Sequence, residues 1–524
     1  MSNHFDEPTQ QFSNRGQAVC KSNRDALLPV AIIACHPDPN RLGEFCALDG
    51  LMQFGEQEIN RHWPEFHTTT SSIGQGLSVP QVSRKSMRLV REGGLTFILR
   101  RQDYSAPVSL NGEVLQDQLR IDQQSLEQGV ELCLGDHVML FIKCMPEPAM
   151  LQDDLGLVGI SHGVQQVRER IGKVASMDEP VLIRGATGTG KELVAQAIRR
   201  QSKRFGKPFI VANIPAMQPS LAVSELFGAV KGAFTGASTD RKGYFQAAHQ
   251  GTLFLDEIGE ASQDVQAMLL RALESQQVVP VGSTEADQVN VRVIAATDAN
   301  LEAQGENEFK QPLLHRLSSY QIFLPPLAER REDIPALLRN FLRGHWLKVE
   351  GSDSLPVSFE APWLSCDLVR QVMQAPWPGN VRQLLNITRQ LVVDSRGDQH
   401  LQMDPHVLAS LSHSSVTGET GRVEEPATIK RRKPSQITQD ELLKALQNQR
   451  YDMQATADEL GISRGSVYEL IKRHPQLRAV GDIPDSELRQ AYQDCAGDLE
   501  QMTTRLQVSR IGLLRRLRSM GIDA

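Results

Sequence analysis

Residues 181–200 read VLIRGATGTGKELVAQAIRR, an apolar strand, a glycine-rich loop and an amphipathic helical run in direct succession. That order suits one repeat unit of an α/β sheet, in which the strand is buried and the helix packs back across it. Gly185, Gly188 and Gly190 let backbone N–H groups close around a phosphate, and the helix N-terminus adds partial positive charge. Thr189 lies between the last two of these glycines, and Lys191 is placed to reach phosphate oxygens. Glu192 stands where Ser or Thr commonly follows the lysine. An ordinary glycine turn is the competing reading.

The flanking sequence repeats the α/β rhythm. VLIRG, PFIVAN, TLFLDE and VRVIAAT are buried-strand candidates separated by helical stretches, which predicts a mostly parallel sheet over 155–335. The chain then turns helical, and 336–411 reads as a lid subdomain. LFLDE ends in Asp256 and Glu257. Asp256 would hold Mg²⁺ through water, and Glu257 would polarise an attacking water as general base. A solvent-facing acidic strand end is the alternative.

Composition narrows the setting. The 524 residues predict roughly three or four domains. With 56 basic against 63 acidic residues the net charge is −7, so any nucleic-acid contact must come from a local patch. Seven cysteines without a C-x-x-C pair suit a reduced, cytoplasmic compartment. No apolar run approaches the roughly 20 residues needed to span a bilayer. Residues 1–29 read as a mobile tail, 30–145 as an all-β region of short strands (AIIAC, FCAL, LTFIL, VMLFI), and 146–154 as a linker. Residues 412–436 form a polar linker with a basic end. An internal repeat follows at an offset of 46: Leu442, Ala445 and Leu460 fall on Leu488, Ala491 and Leu506. It predicts two tandem helical units, 437–478 and 479–524.

Between the phosphate loop and the acidic strand lies SELFGAVKGAFTGA, residues 224–237. Small residues and a threonine frame one aromatic, Phe234, as in a loop projected toward a partner. The run resembles the GAFTGA loop of the sigma-54-dependent bacterial transcription activators, which are AAA+ ATPases. The resemblance covers about 250 residues, with several motifs in family order. It implies ATP and Mg²⁺ as cofactors, a ring, usually a hexamer, and contact with sigma-54 polymerase through Gly232, Ala233, Phe234, Thr235, Gly236 and Ala237. It further implies that Asn213 hydrogen-bonds Glu257 and switches it, that Thr297 senses the γ-phosphate, and that Arg382 in WPGNVRQL acts as sensor II. Of the family's two trans-acting arginines, Arg316 matches the second, whereas Lys310 occupies the first position. Lysine keeps the charge but loses the planar fork, which predicts slow or altered hydrolysis. Asp298 also replaces a more usual neutral residue.

The first C-terminal unit has a helix–turn–helix rhythm and resembles the Fis-type module that closes many such activators. Arg464, Ser466, Tyr468, Lys472 and Arg473 are candidate contacts to enhancer DNA, with Arg510 and Arg515 in the second unit. A helical dimerisation bundle without DNA contact is the alternative.

The N-terminal region resembles a forkhead-associated (FHA) β-sandwich. Arg61, Ser83, Arg84 and Asn111 match residues that would bind a phosphothreonine partner. Asn60 and Ser86 replace the Gly and His of the family pattern. A plain protein-contact sandwich remains the other reading.

The combined expectation is a multidomain activator: FHA-like sandwich, α/β AAA+ core with helical lid, and all-α tandem helix–turn–helix units. An AAA+ remodeller with another client and a DNA-binding repressor without hydrolysis are the rivals. The intact GAFTGA loop disfavours the first, and the Asp256–Glu257 pair the second.

Overall fold

The computed structural model describes residues 27–101, 106–151, 153–233, 238–303 and 308–403, together with 437–449, 456–457, 460, 467, 470, 483–495, 499–506, 513 and 516–517. The chain divides into two compact units, Met1–Gly418 and Glu419–Ala524.

The first unit opens with two packed antiparallel sheets. In the larger sheet, β1 (Leu27–Cys35) lies between β2 (Phe45–Ala47) and β12 (Val138–Pro146). Beyond β12 come β11 (Val130–Leu134), β8 (Val108–Leu110) and β9 (Glu113–Val114), and beyond β2 the hairpin β4 (Phe66–Thr68) and β5 (Ser71–Gln75). The smaller sheet orders β10 (Gln118–Ile121), β7 (Thr96–Arg100), β6 (Met87–Gly93) and β3 (Glu56–Ile59).

Strand β1 is an unbroken apolar run because both its faces are covered. Ala31 and Ile33 point into the core between the sheets, with Leu89, Phe97 and Leu99. Val30, Ile32 and Ala34 point the other way, into a second core shared with the helical lid. The same alternation runs along β12, where Leu140 and Ile142 face one core and Met139 and Phe141 the other. The sandwich therefore is not the separate body that a linker at 146–154 predicts. That segment is itself pinned, Leu151 N donating to Thr69 O at 2.8 Å.

The α/β core carries five parallel strands in the order β14, β15, β16, β13, β17: Phe209–Asn213, Thr252–Asp256, Arg292–Thr297, Val181–Arg184 and Tyr320–Phe323. Four are the anticipated strands. Tyr320–Phe323 was not anticipated, since only Ile322 of its four residues is buried. The helix His162–Ala175 is capped by Ser161, whose hydroxyl accepts from Val164 N, a contact that stabilises by about 1 kcal/mol. The lid consists of Ile334–Glu350, Cys366–Gln374 and Asn380–Asp394. Trp377 is its largest fully buried side chain, with its indole N–H donating to Val372 O at 2.9 Å.

The second unit contains helices Gln439–Asn448, Asp485–Asp494 and Leu499–Leu506 and two small cores. Leu442, Ala445, Leu460 and Val467 build one, and Leu488, Ala491, Leu506 and Leu513 the other. These positions correspond at the offset of the sequence repeat. Among the described residues no helix is long and apolar enough to cross a membrane.

Candidate nucleotide site

Strand β13 delivers the chain to the glycine loop, and the helix Lys191–Arg200 leaves it. Gly188 has φ +79, and a Cβ there would stand 2.3 Å from Gly379 O of the lid, so both backbone shape and clearance demand glycine. The loop borders a cavity of about 580 Å³. Its polar wall includes Thr187 to Glu192, Asn213, Asp256, Glu257 and Arg382, and its apolar wall Leu157, Val158 and Phe341.

The charged groups converge. Lys191 Nζ lies 2.8 Å from Glu257 Oε1 and 3.0 Å from Gly185 O. Glu257, with φ +53 at the strand end, also accepts from Asp298 N at 3.1 Å. Asn213 Nδ2 reaches Asp256 Oδ2 at 3.4 Å, and its Oδ1 accepts from Ala216 N. The expected Asn213–Glu257 bond is thus replaced: the lysine ammonium, a stronger partner for a carboxylate than an amide, holds Glu257 instead. Asp298 accepts from the Thr187 hydroxyl at 2.6 Å, which holds its carboxyl below the usual range; the nearby Lys191 charge acts in the same direction. Thr297 is buried, its Oγ1 accepting from Ala299 N within its own turn, and it does not line the cavity. Glu192 is exposed at the cavity edge and accepts from Gln196.

Sequence reasoning missed how the lid closes the loop. Asn380 Nδ2 donates to Thr187 O at 3.0 Å, Arg382 N to Gly188 O at 3.2 Å, and Arg330 Nη2 to Thr189 O at 3.1 Å. Three successive loop carbonyls are thereby satisfied, while Thr189 N donates within the loop to Ala186 O at 3.3 Å. The sequence signal for Asn380 was the WPGN turn itself.

Lys310 and Arg316 lie outside the cavity. Lys310 is the N-cap of the helix Gln311–Leu317, and Arg316, exposed in its last turn, donates to Leu273 O at 3.3 Å. The loop bearing Gly232 and Ala233 springs from a narrow stem. Ala229 and Arg241 exchange backbone bonds of 2.9 and 2.8 Å, and a Cβ on Gly243 would meet Gly228 N at 2.3 Å. Phe234, Thr235, Gly236 and Ala237 lie outside the described residues, as do Arg464, Ser466, Tyr468, Lys472, Arg473, Arg510 and Arg515.

In the sandwich, Arg61 follows β3, and its guanidinium donates to Val82 O at 2.9 Å and to Pro80 O. Ser83 is buried and accepts from Lys85 N, while Arg84 is exposed. Gln81, between the two carbonyls held by Arg61, donates to Phe359 O of the lid at 2.6 Å. Asn111 does not join this group. It turns the β8–β9 hairpin with φ +50, and its Oδ1 accepts from Glu131 N at 2.8 Å. Strand register puts that hairpin at the opposite end of the sandwich from Arg61: β8 leads away from the end where β3 finishes and β6 begins. Ser109, Leu110, Asn111 and Gly112 thus form a tight hairpin turn.

Residues 157–323 match the family model "Sigma-54 interaction domain", and residues 328–415 match "AAA+ ATPase lid domain". The chain is 44% identical over 269 residues to the DNA-binding transcriptional regulator NtrC of Escherichia coli (strain K12), covering 51% of this chain and 55% of that protein. It is 40% identical over 302 residues to the transcriptional regulatory protein GlrR of the same organism, covering 57% and 64%. A crystal structure of NtrX from Brucella abortus in complex with ADP shares 28% identity over 71% of this chain and 70% of its own, with a TM-score of 0.44. The chain spans 55% and 64% of the lengths of these two curated relatives. The central region is an AAA+ P-loop ATPase module with a helical lid, and the matches support a sigma-54-dependent activator.

Proposed function

We propose that this protein hydrolyses ATP in the cavity beneath its lid and uses the cycle to drive sigma-54 RNA polymerase from closed to open promoter complex. The observation that carries the reading is the convergence of Lys191, Asp256, Glu257 and Arg382 on one cavity, with the GAFTGA stem on the same α/β core. Lys191 takes the β/γ-phosphate charge and releases Glu257, which then accepts a proton from the attacking water. Asp256, a half-buried carboxylate at the strand end, suits a hard cation held by oxygen. Among the described residues no cluster of three or more His, Cys, Asp or Glu could hold a metal ion. Asp256 would hold Mg²⁺ through water, and the ion would neutralise phosphate charge.

Lys310 and Arg316 lie away from their own cavity, which supports their action on a neighbouring subunit's nucleotide in a ring. The tandem C-terminal units bind enhancer DNA in this reading, and the FHA-like sandwich gates the ring through a phosphorylated partner at the Arg61–Arg84 loops, in a cytoplasmic setting. The exposed Arg84 beside the Arg61 loop supports that reading, whereas Asn111 lies apart in the β8–β9 turn.

The test is open-complex formation by sigma-54 polymerase on a promoter carrying this protein's binding site. ATP-dependent opening that disappears in Thr235→Ala is the expected result. ATP hydrolysis by a sandwich-competent chain with no opening under any condition would assign the motor to another client.

A further inference from the structure

Four consecutive residues join the ATPase sheet to the lid, and each is held by a different partner. Arg330 donates to Thr189 O of the phosphate loop. Arg331 Nη2 pairs with Glu131 Oε1 of β11 at 3.2 Å, its Nε donates to Met373 O at 2.9 Å, and its guanidinium lies over the Phe141 ring. Glu332 accepts from Lys143 Nζ of β12 at 2.8 Å. Asp333 is fully buried and accepts from Ile160 N, Ser161 N and Ser161 Oγ at 2.6, 2.7 and 2.6 Å. The middle two residues are thus gripped by the sandwich, and the outer two by the ATPase core.

We infer that Arg330–Asp333 couples the sandwich to the nucleotide site, with Glu131 and Lys143 acting as positioning residues for the phosphate loop. Arg331–Asp333 forms a single 3₁₀ turn with Arg330 as its N-cap, so the four side chains share one short backbone segment. Glu131 is 3% exposed and also meets Arg370 at 3.4 Å and Gln374 at 3.1 Å, so the grip is buried and multiply bonded. Releasing Arg331 and Glu332 frees the turn, moves Arg330 off Thr189 O and loosens the phosphate loop. Linkage makes the effect reciprocal: whatever loosens the sandwich weakens nucleotide binding, and nucleotide tightens the sandwich. This inference rests on reading the cavity as the nucleotide site.

The test is titration of the full chain with a fluorescent ADP analogue and Mg²⁺. Lys143→Glu sets two carboxylates against each other and should weaken binding about fivefold or more. Adding Glu332→Lys reverses the pair and should return affinity to within about twofold of wild type. Glu131→Gln, which keeps size and the contact to Gln374, provides a second, gentler variant expected to weaken binding in the same direction. Wild-type affinity in both Lys143→Glu and Glu131→Gln overturns the coupling. So does a loss in Lys143→Glu that the reversed pair fails to restore. Absence of ADP binding by the wild-type chain would instead sink the nucleotide-site reading, and the coupling with it.

Discussion

Lys191 Nζ and Glu257 Oε1 lie 2.8 Å apart, so the group that would take phosphate charge and the group that would take the water's proton neutralise each other. Glu257→Gln breaks this pairing without removing Lys191. ATP should bind at least as tightly as to wild type, while hydrolysis falls by about 10²–10⁴. Equilibrium binding and phosphate release measured on the same preparation check both halves. Turnover near wild type would remove Glu257 from the role of base.

Lys310 caps its helix through its backbone, Leu314 N donating to Lys310 O at 3.1 Å with no side-chain cap bond, and Lys310 N donates to Gln266 Oε1 at 2.8 Å. An arginine there keeps those contacts and adds a planar fork. Lys310→Arg should raise ATP turnover at ring-forming concentrations, toward the 10³–10⁵ range that a trans-acting arginine can supply. Unchanged turnover across a concentration series would show that position 310 does not act across the ring.

Glu131→Ala removes the carboxylate that gathers Arg331, Arg370 and Gln374. Stripping one side of a fully buried ion pair costs about 3–5 kcal/mol. Both arginines remain more than a quarter exposed, so about 2–3 kcal/mol is expected here. Chemical denaturation of the full chain measures it, and a loss below about 0.5 kcal/mol would mean that the contact is surface-like.

His36 is 2% exposed, with Nδ1 accepting from Asp38 N at 3.0 Å and Nε2 facing Leu77 O at 2.9 Å. This arrangement suits the neutral ring, and burial lowers its pKa from 6.5 to about 4. The unfolded chain therefore binds this proton first on acidification. The stabilisation is complete above pH 6.5 and is lost as pH falls toward 4, by up to about 3 kcal/mol. His36→Gln should abolish that component, visible as a shallower pH dependence of the denaturation midpoint between pH 6.5 and 4. Parallel profiles for the two proteins would exclude His36 as its source.

Much of the nucleotide site was legible because its chemistry is local. A glycine loop between strand and helix places Lys191 within one turn of chain, and LFLDE carries Asp256 and Glu257 to the end of the neighbouring strand. The alternation of helices and strands likewise predicts the parallel sheet, and the C-terminal repeat anticipates two matching small cores. Asn111 misled because a hairpin turn and a binding loop use the same Asn-Gly chemistry. Only strand register separates it from Arg61.

By itself, the sequence determined where each motif begins and which chemistry it can perform, since backbone sterics and side-chain pKa values act over a few residues. Tertiary structure alone decided that β1 serves two cores, that three loop carbonyls are satisfied by the lid and the turn leading into it, and that the sandwich grips Arg331 and Glu332. Those relationships join residues as distant in sequence as Cys35 and Leu364, 329 positions apart. The free energy that selects them comes from burying apolar faces and pairing buried charges in three dimensions, and linear spacing does not encode it.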